Sequence, residues 1–420
     1  MLDLNDFYSY HQNVIRGAKT KKKRYLLSQI DFDQNAVLVY GFRGVGKTTL
    51  LIQYGKENYK NIQEWLYLSA DFYRVADYSL YELVDAYFSQ KPGKAIVIDE
   101  VQKFENWKVQ LKNVLDAFKD KKILISGSSS IELNRADSKH ASLNVDADIE
   151  RRVSKYLLKP LSFREFLYFN DKADLAAVSL AEITQNNQDI TENIVQKIGH
   201  SDTVILDAFT DYLRYGCYPF YYETGSEVAY RDRLNRLVSE ILESDIGMIL
   251  NLKMEKIIAL KKLFSTIASS KPFKPNIDKL STISGLSRPT VYEYLHYLHM
   301  AGLSTNLYEN ISKARQITSK PEKICVANPN LLLCFKDHRI PKELVGAVRE
   351  SFFVSCFGEK EITSHPKADY RVGELVFEIG GKGKDKKQIQ GVDSSFLVQD
   401  GIEISYNDRI VPLYLFGFLY

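Results

Sequence analysis

Cysteine is scarce in this chain of 420 residues, with Cys217, Cys325, Cys334 and Cys356 the only four. They lie far apart and never in CxxC spacing, which argues against a structural zinc site and against a disulfide framework, and points to a reducing compartment. They read as small buried hydrophobes. A surplus of one charge is also missing: Lys+Arg number 56 against Asp+Glu 53, a net charge of +3. That balance neither demands nor excludes nucleic acid, because a basic face can hide in a neutral total. No run of about eighteen apolar residues occurs, so no spanning helix and no membrane partner is expected. Near the N-terminus stand Asp3 and Asp6, where an export signal would carry a basic stretch leading into an apolar one. The expectation is a soluble, cytoplasmic protein. At 420 residues it is too long for one ordinary core, so two or three domains are expected.

What is present is a phosphate-binding loop. Gly41-Phe42-Arg43-Gly44-Val45-Gly46-Lys47-Thr48 fits GxxxxGK[ST] at every fixed position. Ala36 to Tyr40 before it reads as a short buried strand, and Lys47 to Tyr59 after it as a helix. A plain glycine-rich turn would not require that setting. The glycines let backbone N–H groups turn onto phosphates at a helix N-terminus. Lys47 then reaches the β- and γ-phosphates, and the Thr48 hydroxyl reaches Mg²⁺. The ligand implied is ATP with Mg²⁺, held by Gly41, Arg43, Gly44, Val45, Gly46, Lys47, Thr48 and Thr49.

A second strand, Ala95 to Ile98, ends in Asp99-Glu100, a Walker B signature. Asp99 is expected to hold the Mg²⁺ shell, and Glu100 to polarise the attacking water as general base. The pair predicts hydrolysis as well as binding. Glu105 to Lys119, with Trp107, Leu111, Val114, Leu115 and Phe118 at helical spacing, reads as a packing face. A further strand, Lys122 to Ile125, delivers Ser126-Gly127-Ser128-Ser129-Ser130 to the sheet edge where ligands sit in open parallel sheets. Ser126 or Ser128 could sense the γ-phosphate; equally, these serines could cap a helix beginning near Ile131. Arg151 and Arg152 precede a strand-like Val153 to Leu158, and an arginine here could stabilise charge on the transferring phosphoryl group, in cis or across a subunit contact. An ordinary surface pair is the alternative.

In order, GFRGVGKTT, AIVIDEVQKFENWK, ISGSSS, ADIERR and KPLSFREFL resemble the prokaryotic AAA-type P-loop ATPases that carry a C-terminal domain of uncharacterised function. The likeness covers about the first 170 residues strongly. It implies an α/β, RecA/AAA-like P-loop NTPase core of the additional-strand class over 1–170, with Glu100 catalytic, Ser126 or Ser128 at the sensor position and Arg152 as the finger. A homo-oligomer follows, a hexameric ring being the candidate form. A helical lid is expected over 171–252; the turn Tyr215-Gly216-Cys217-Tyr218-Pro219 looks like that of the family's lid, and Arg214 beside it is a candidate second sensor. A helix-breaking turn accounts for the same residues.

Residues 253–327 carry a winged helix-turn-helix grammar. Ile257, Ile258, Leu260, Leu263, Phe264 and Ile267 make one amphipathic helix, and Ile277 to Ser284 a second. Gly285 marks the turn; a third helix opens at Ser287 as N-cap, with Pro289 in its first turn, and runs to Gly302. Arg288, Thr290, Tyr292, Glu293 and His296 would face outward, and Ile311 to Lys323, with Lys313, Arg315 and Lys320, would form a basic wing. Duplex or branched DNA is the partner this suggests, although such modules also bind proteins. The last segment, 328–420, carries Glu350 on a helix and Ala368 to Glu378 as two strands around a glycine turn, which resembles the PD-(D/E)xK nuclease fold. Glu350, Asp369 and Glu378 would be the ligands there, but the lysine expected two residues after the glutamate is Gly380. Lysines appear only at Lys382 and Lys384, so a degenerate nuclease-like domain is expected, without cleavage, its lysines contacting phosphates or lying in a solvated loop. The basic run Lys19 to Arg24 has the same two readings. Two functions survive: an ATP-driven machine that remodels DNA or moves along it, or a nucleotide-dependent switch whose C-terminal domains bind a protein.

Overall fold

Four short runs, each apolar along nearly its whole length, build the first sheet: β1 (Ala36–Tyr40), β2 (Trp65–Ser69), β3 (Ala95–Asp99) and β4 (Lys122–Gly127). Burial on both faces is the signature of a parallel sheet covered by helices, and all its pairings are parallel. A half-exposed fifth strand, β5 (Ser154–Leu157), closes one edge, giving the order β2-β3-β4-β1-β5. The computed structural model describes residues 3–18, 21–91, 93–127, 149–199, 203–247, 250–309, 320–334, 340–358 and 361–420. The chain divides into two compact units, Met1–Lys159 and Pro160–Tyr420.

In the first unit the helices are α1 (Asn5–Gly17), α2 (Lys47–Asn58), α3 (Leu80–Gln90) and α4 (Trp107–Ala117). A reciprocal capping box between Ser79 and Glu82 opens α3. Trp107, Leu111, Val114 and Leu115 turn one face of α4 onto the sheet, as their spacing predicts. Leu111 is wholly buried in this core, so truncating it to alanine should cost about 2–5 kcal/mol. The position of β4 matters most for function. Because it lies between β1 and β3, the residues ending β4 stand between the loop that follows β1 and the carboxylates that follow β3.

The second unit begins with α5 (Phe163–Phe169), α6 (Leu180–Gln185), α7 (Asn187–Gly199), α8 (Ile205–Asp211), α9 (Tyr221–Thr224) and α10 (Glu227–Glu240). Next come α11 (Met254–Ala268), α12 (Ile277–Ser284) and α13 (Arg288–Met300), followed by the antiparallel pair β6 (Ser304–Leu307) and β7 (Lys323–Val326). The turn between α12 and α13 uses Gly285 at φ 71°, and the Ser287 side chain caps α13 by accepting from the Thr290 N–H. The predicted three-helix succession is therefore present.

After α14 (Pro329–Leu333) and α15 (Val345–Ser355) comes a second sheet of β8 (Ile362–Ser364), β9 (Tyr370–Val372), β10 (Leu375–Gly381), β11 (Ser395–Asp400) and β12 (Ile410–Pro412), ordered β12-β11-β10-β9-β8. Strands β8, β9 and β10 pair antiparallel, whereas β10, β11 and β12 pair parallel. Gly373 at φ 57° makes the turn between β9 and β10. Aromatic packing ties the early helices of this unit to its later elements: Phe163 of α5 meets Phe418, in the short 3-10 turn after β12, at 5.9 Å between ring centroids, and Phe209 of α8 meets Phe352 of α15 at 4.8 Å. These helices and later elements thus share a core among the described residues of the unit. Among the described residues no helix is long and apolar enough to cross a membrane.

Candidate functional site

The loop after β1 is shaped by glycine. Gly46, at φ 97°, is the N-cap of α2 and makes no side-chain cap, so the first amides of the helix face the loop interior. Gly41 passes so close to the backbone just after β5 that a Cβ there would collide with the Leu158 carbonyl. Lys47 is 5 % exposed, and its ammonium donates to the Gly41 and Phe42 carbonyls at 2.9 and 3.0 Å. Val45 is buried, while Arg43, Gly44, Thr48 and Thr49 are half-buried. Arg24 braces the loop from below: its buried guanidinium donates to the Val45 carbonyl at 2.6 Å and to the Lys159 carbonyl at 2.7 Å. The last residue of the basic run therefore has a structural task. Lys19 and Thr20 at the start of that run lie outside the described residues.

At the end of β3, Asp99 is 4 % exposed and collects hydroxyls. Thr48 Oγ1 donates to its two oxygens at 3.1 and 2.9 Å, Tyr67 Oη donates at 2.6 Å, and Ser126 Oγ also donates to it. Burial pushes the Asp99 carboxyl above its usual range, with the Glu100 charge adding to the rise, while the hydroxyls of Ser126, Tyr67 and Thr48 act the other way. Glu100 itself stands at φ 56°, ψ 47°, a left-handed conformation that is costly for a residue with a Cβ. That twist turns its side chain away from the strand's alternation. Its N–H donates to Ser126 Oγ at 3.0 Å, and its carboxylate accepts from Gln102 Nε2 at 2.7 Å. Ser126, wholly buried, thus joins Asp99 to Glu100. Ser128 lies outside the described residues, as does the helix expected near Ile131.

The structure brings together Lys47, Thr48, Asp99, Glu100 and Ser126, and it adds Tyr67, which sequence reasoning missed. Inside the run Trp-Leu-Tyr-Leu-Ser a tyrosine reads as core. Tyr67 is held in turn by His11 of α1, a fully buried ring whose Nδ1 accepts the Tyr67 N–H at 2.8 Å. Burial lowers the His11 pKa to about 4, against a weaker opposing bond to the Ile62 backbone, so the ring is a neutral acceptor near pH 7.

Arg152 is not brought to this site. It precedes β5, which runs parallel to β1 with Ser154 opposite Val37, so it sits at the edge of the sheet remote from the loop. Its guanidinium forks onto Asp116 in the last turn of α4, Nε to Oδ1 at 2.8 Å and Nη2 to Oδ2 at 3.2 Å.

In the second unit, Arg288 of α13 pairs with Asp278 of α12, and the Thr290 hydroxyl bonds the Ser287 hydroxyl at 2.7 Å. Lys313 and Arg315 lie outside the described residues. Lys382 is exposed, whereas Lys384 is bonded to Glu378 at 2.6 Å. Arg214 pairs with Glu227 at 2.6 Å. The turn containing Gly216 and Pro219 is fastened by the buried Asn330, whose Oδ1 accepts from the Cys217 N–H at 2.8 Å and from Tyr230 Oη at 2.5 Å.

The donors around Thr48 and Asp99 are all oxygens, the chemistry that Mg²⁺ takes, and the amide end of α2 with the Lys47 ammonium suits a polyphosphate. Residues 33–167 match the family model described as an AAA domain, and residues 206–338 match one described as a domain of unknown function (DUF8612). The AAA-domain match falls on the part of the chain that carries the parallel sheet and the loop, an arrangement consistent with a P-loop NTPase core. Among similar proteins, Uncharacterized protein MJ1637 of Methanocaldococcus jannaschii is 24% identical over 456 residues, covering 98% of this chain and 93% of that protein. Uncharacterized protein MJ1544 of the same organism is 24% identical over 367 residues, covering 84% of this chain and 73% of that protein. AMPPCP-bound DnaA from Aquifex aeolicus is similar at 14% identity and a TM-score of 0.28, covering 71% of this chain and 89% of that chain.

Proposed function

We propose that this chain is a Mg²⁺-dependent ATPase whose second unit engages DNA. The observation that carries the ATPase reading is the Asp99 network, in which Thr48, Ser126 and the Glu100 backbone converge beside a glycine-built amide cradle. ATP, when bound, supplies the phosphoryl group that is transferred to water. Lys47 and the α2 amides bind and orient the phosphates, Thr48 and Asp99 hold Mg²⁺, and Glu100 accepts the proton of the attacking water. Ser126 keeps the metal-side and base-side carboxylates in fixed relation. Arg152 stands too far along the strand to act on its own chain's phosphates, so any finger role is in trans, in a homo-oligomer such as a hexameric ring. On that reading Arg152→Ala binds ATP normally and hydrolyses poorly, and mixing it with Glu100→Gln subunits restores activity; failure of rescue in every mixture removes the finger role.

Within the second unit we read 171–252 as lid, 253–327 as a winged helix-turn-helix and 328–420 as a nuclease-like domain that does not cut. The α11–α13 succession supports DNA contact through Arg288, Thr290 and the segment around Lys313 and Arg315, with Lys382 adding a phosphate contact. A second reading, a nucleotide-dependent switch acting on a protein partner, is favoured by the ion pairs that occupy Arg288 and Lys384, since they leave fewer cations for phosphates. ATP turnover measured with single-stranded, duplex and branched DNA separates them. Stimulation of several-fold that declines with salt supports DNA engagement; indifference to every DNA supports the switch.

A further inference from the structure

The second unit holds a charge cluster that the ATPase chemistry does not use. Glu350 lies on α15, Asp369 precedes β9 and Glu378 lies within β10. Two lysines reach these carboxylates from different parts of the chain. Lys323, the first residue of β7, places its ammonium 2.5 Å from Glu350 Oε2 and 3.0 Å from Asp369 Oδ1, and 4.3 Å from the centre of the Tyr370 ring. Lys384, beyond the end of β10, is 2.6 Å from Glu378 Oε1. Its stem fills the space that a side chain at position 380 would occupy, for a Cβ on Gly380 would meet Lys384 Cβ and Cγ at 2.5 Å.

Neutral donors complete part of the shell. Tyr370 Oη donates to Glu350 Oε2 at 2.7 Å, and the Ile379 N–H donates to Asp369 Oδ2 at 2.9 Å. One acceptor is left over: Glu378 is 1 % exposed and its Oε2 has no hydrogen-bond partner. Three carboxylates thus face two ammonium groups. As they stand, no three His, Cys, Asp or Glu side chains among the described residues are arranged to hold a metal ion.

We propose that Lys323 is the resident counter-cation of a carboxylate site formed by Glu350, Asp369 and Glu378, which it closes to divalent metal ions. An all-oxygen set of this kind suits Mg²⁺, Mn²⁺ or Ca²⁺. A tethered ammonium between two of the carboxylates supplies half the charge such an ion would bring, with the Lys384 ammonium on Glu378 supplying the other half, and without the entropy of capturing an ion. The lysine belongs to the β6–β7 hairpin, so the same contact fastens that hairpin to α15 and the second sheet. This inference stands apart from the ATPase reading.

The test is Mn²⁺ binding to nucleotide-free full-length protein, read by electron paramagnetic resonance. Wild type and Asp369→Asn should bind the same amount of Mn²⁺. Lys323→Met should bind one more ion per chain, at least about tenfold more tightly than wild type does, and Lys323→Met with Asp369→Asn should lose it. Mn²⁺ binding by wild type that disappears in Asp369→Asn overturns the proposal, because the site is then open as it stands. A folded Lys323→Met without an additional ion also overturns it. If Lys323→Met does not fold, Lys323→Gln takes its place, and refolding either variant with and without Mn²⁺ gives the same readout: rescue by the ion supports the proposal, and its absence contradicts it.

Discussion

Both units bury carboxylates beside the end of a strand, and they surround them with different partners. Asp99 is held by three hydroxyls, from Thr48, Tyr67 and Ser126. Glu350, Asp369 and Glu378 are held chiefly by the ammonium groups of Lys323 and Lys384. Neutral donors fix the direction of a carboxylate's lone pairs and leave its charge available, whereas ammonium donors consume it. A unit-charge pair about 3 Å apart is worth roughly 5 kcal/mol at an effective dielectric of 20. A hydrogen bond to a charged group contributes only about 1.5–3 kcal/mol net. The first arrangement can therefore still take up a cation and the second cannot, although both are built from carboxylates.

The widest separation between the units is expected from glutamine in place of the two glutamates. Glu100→Gln should bind ATP with unchanged affinity and lose turnover by about 10²–10⁴-fold, since it keeps the shape and removes the base. Lys47→Ala should lose nucleotide binding itself. Glu378→Gln should hydrolyse ATP within about twofold of wild type, because Lys384, one-third exposed, can turn to solvent when its partner is gone. Steady-state turnover beside fluorescent-nucleotide binding checks all three, and equal rates in Glu100→Gln and wild type would remove Glu100 from the mechanism.

A smaller effect is expected at Tyr67. Tyr67→Phe removes one of the hydroxyls that aim Asp99 and leaves the charge in place, so the Mg²⁺ concentration for half-maximal turnover should rise by about three- to tenfold while the maximal rate stays near wild type. A fall in the maximal rate at saturating Mg²⁺ would mean that Tyr67 acts on the chemistry itself.

Local grammar was legible in the sequence. The strand before the loop, Gly46 opening a helix, Asp99 ending a strand, Gly285 and Ser287 around the helix turn, and Gly373 between two strands all follow from residues a few positions apart. Contacts set by the lateral order of strands were not. Tyr67 lies 32 residues from Asp99 and meets it only because β2 pairs with β3. Arg24 reads as one more cation in a basic run, yet it is buried under the loop. Lys323 reads as the end of a basic wing; the pairing of β7 with β6 and the packing of α15 turn it inward to Glu350. Arg152 was legible as a functional candidate, but its distance from the loop depends on the direction of β5. In each of these residues the chemistry is local and the address is tertiary.

The most direct measurement is ATP hydrolysis as a function of Mg²⁺ in Asp99→Asn and Asp369→Asn, two isosteric losses of one charge in the two environments. Asp99→Asn should need at least about tenfold more Mg²⁺, with turnover far below wild type, because the hydroxyl-held carboxylate is the one that meets the metal. Asp369→Asn should show the wild-type Mg²⁺ dependence, while its thermal unfolding midpoint falls because Lys323 loses a partner. Wild-type Mg²⁺ dependence in Asp99→Asn, or a shifted dependence in Asp369→Asn, would contradict the division between a carboxylate kept for a cation and a carboxylate already neutralised.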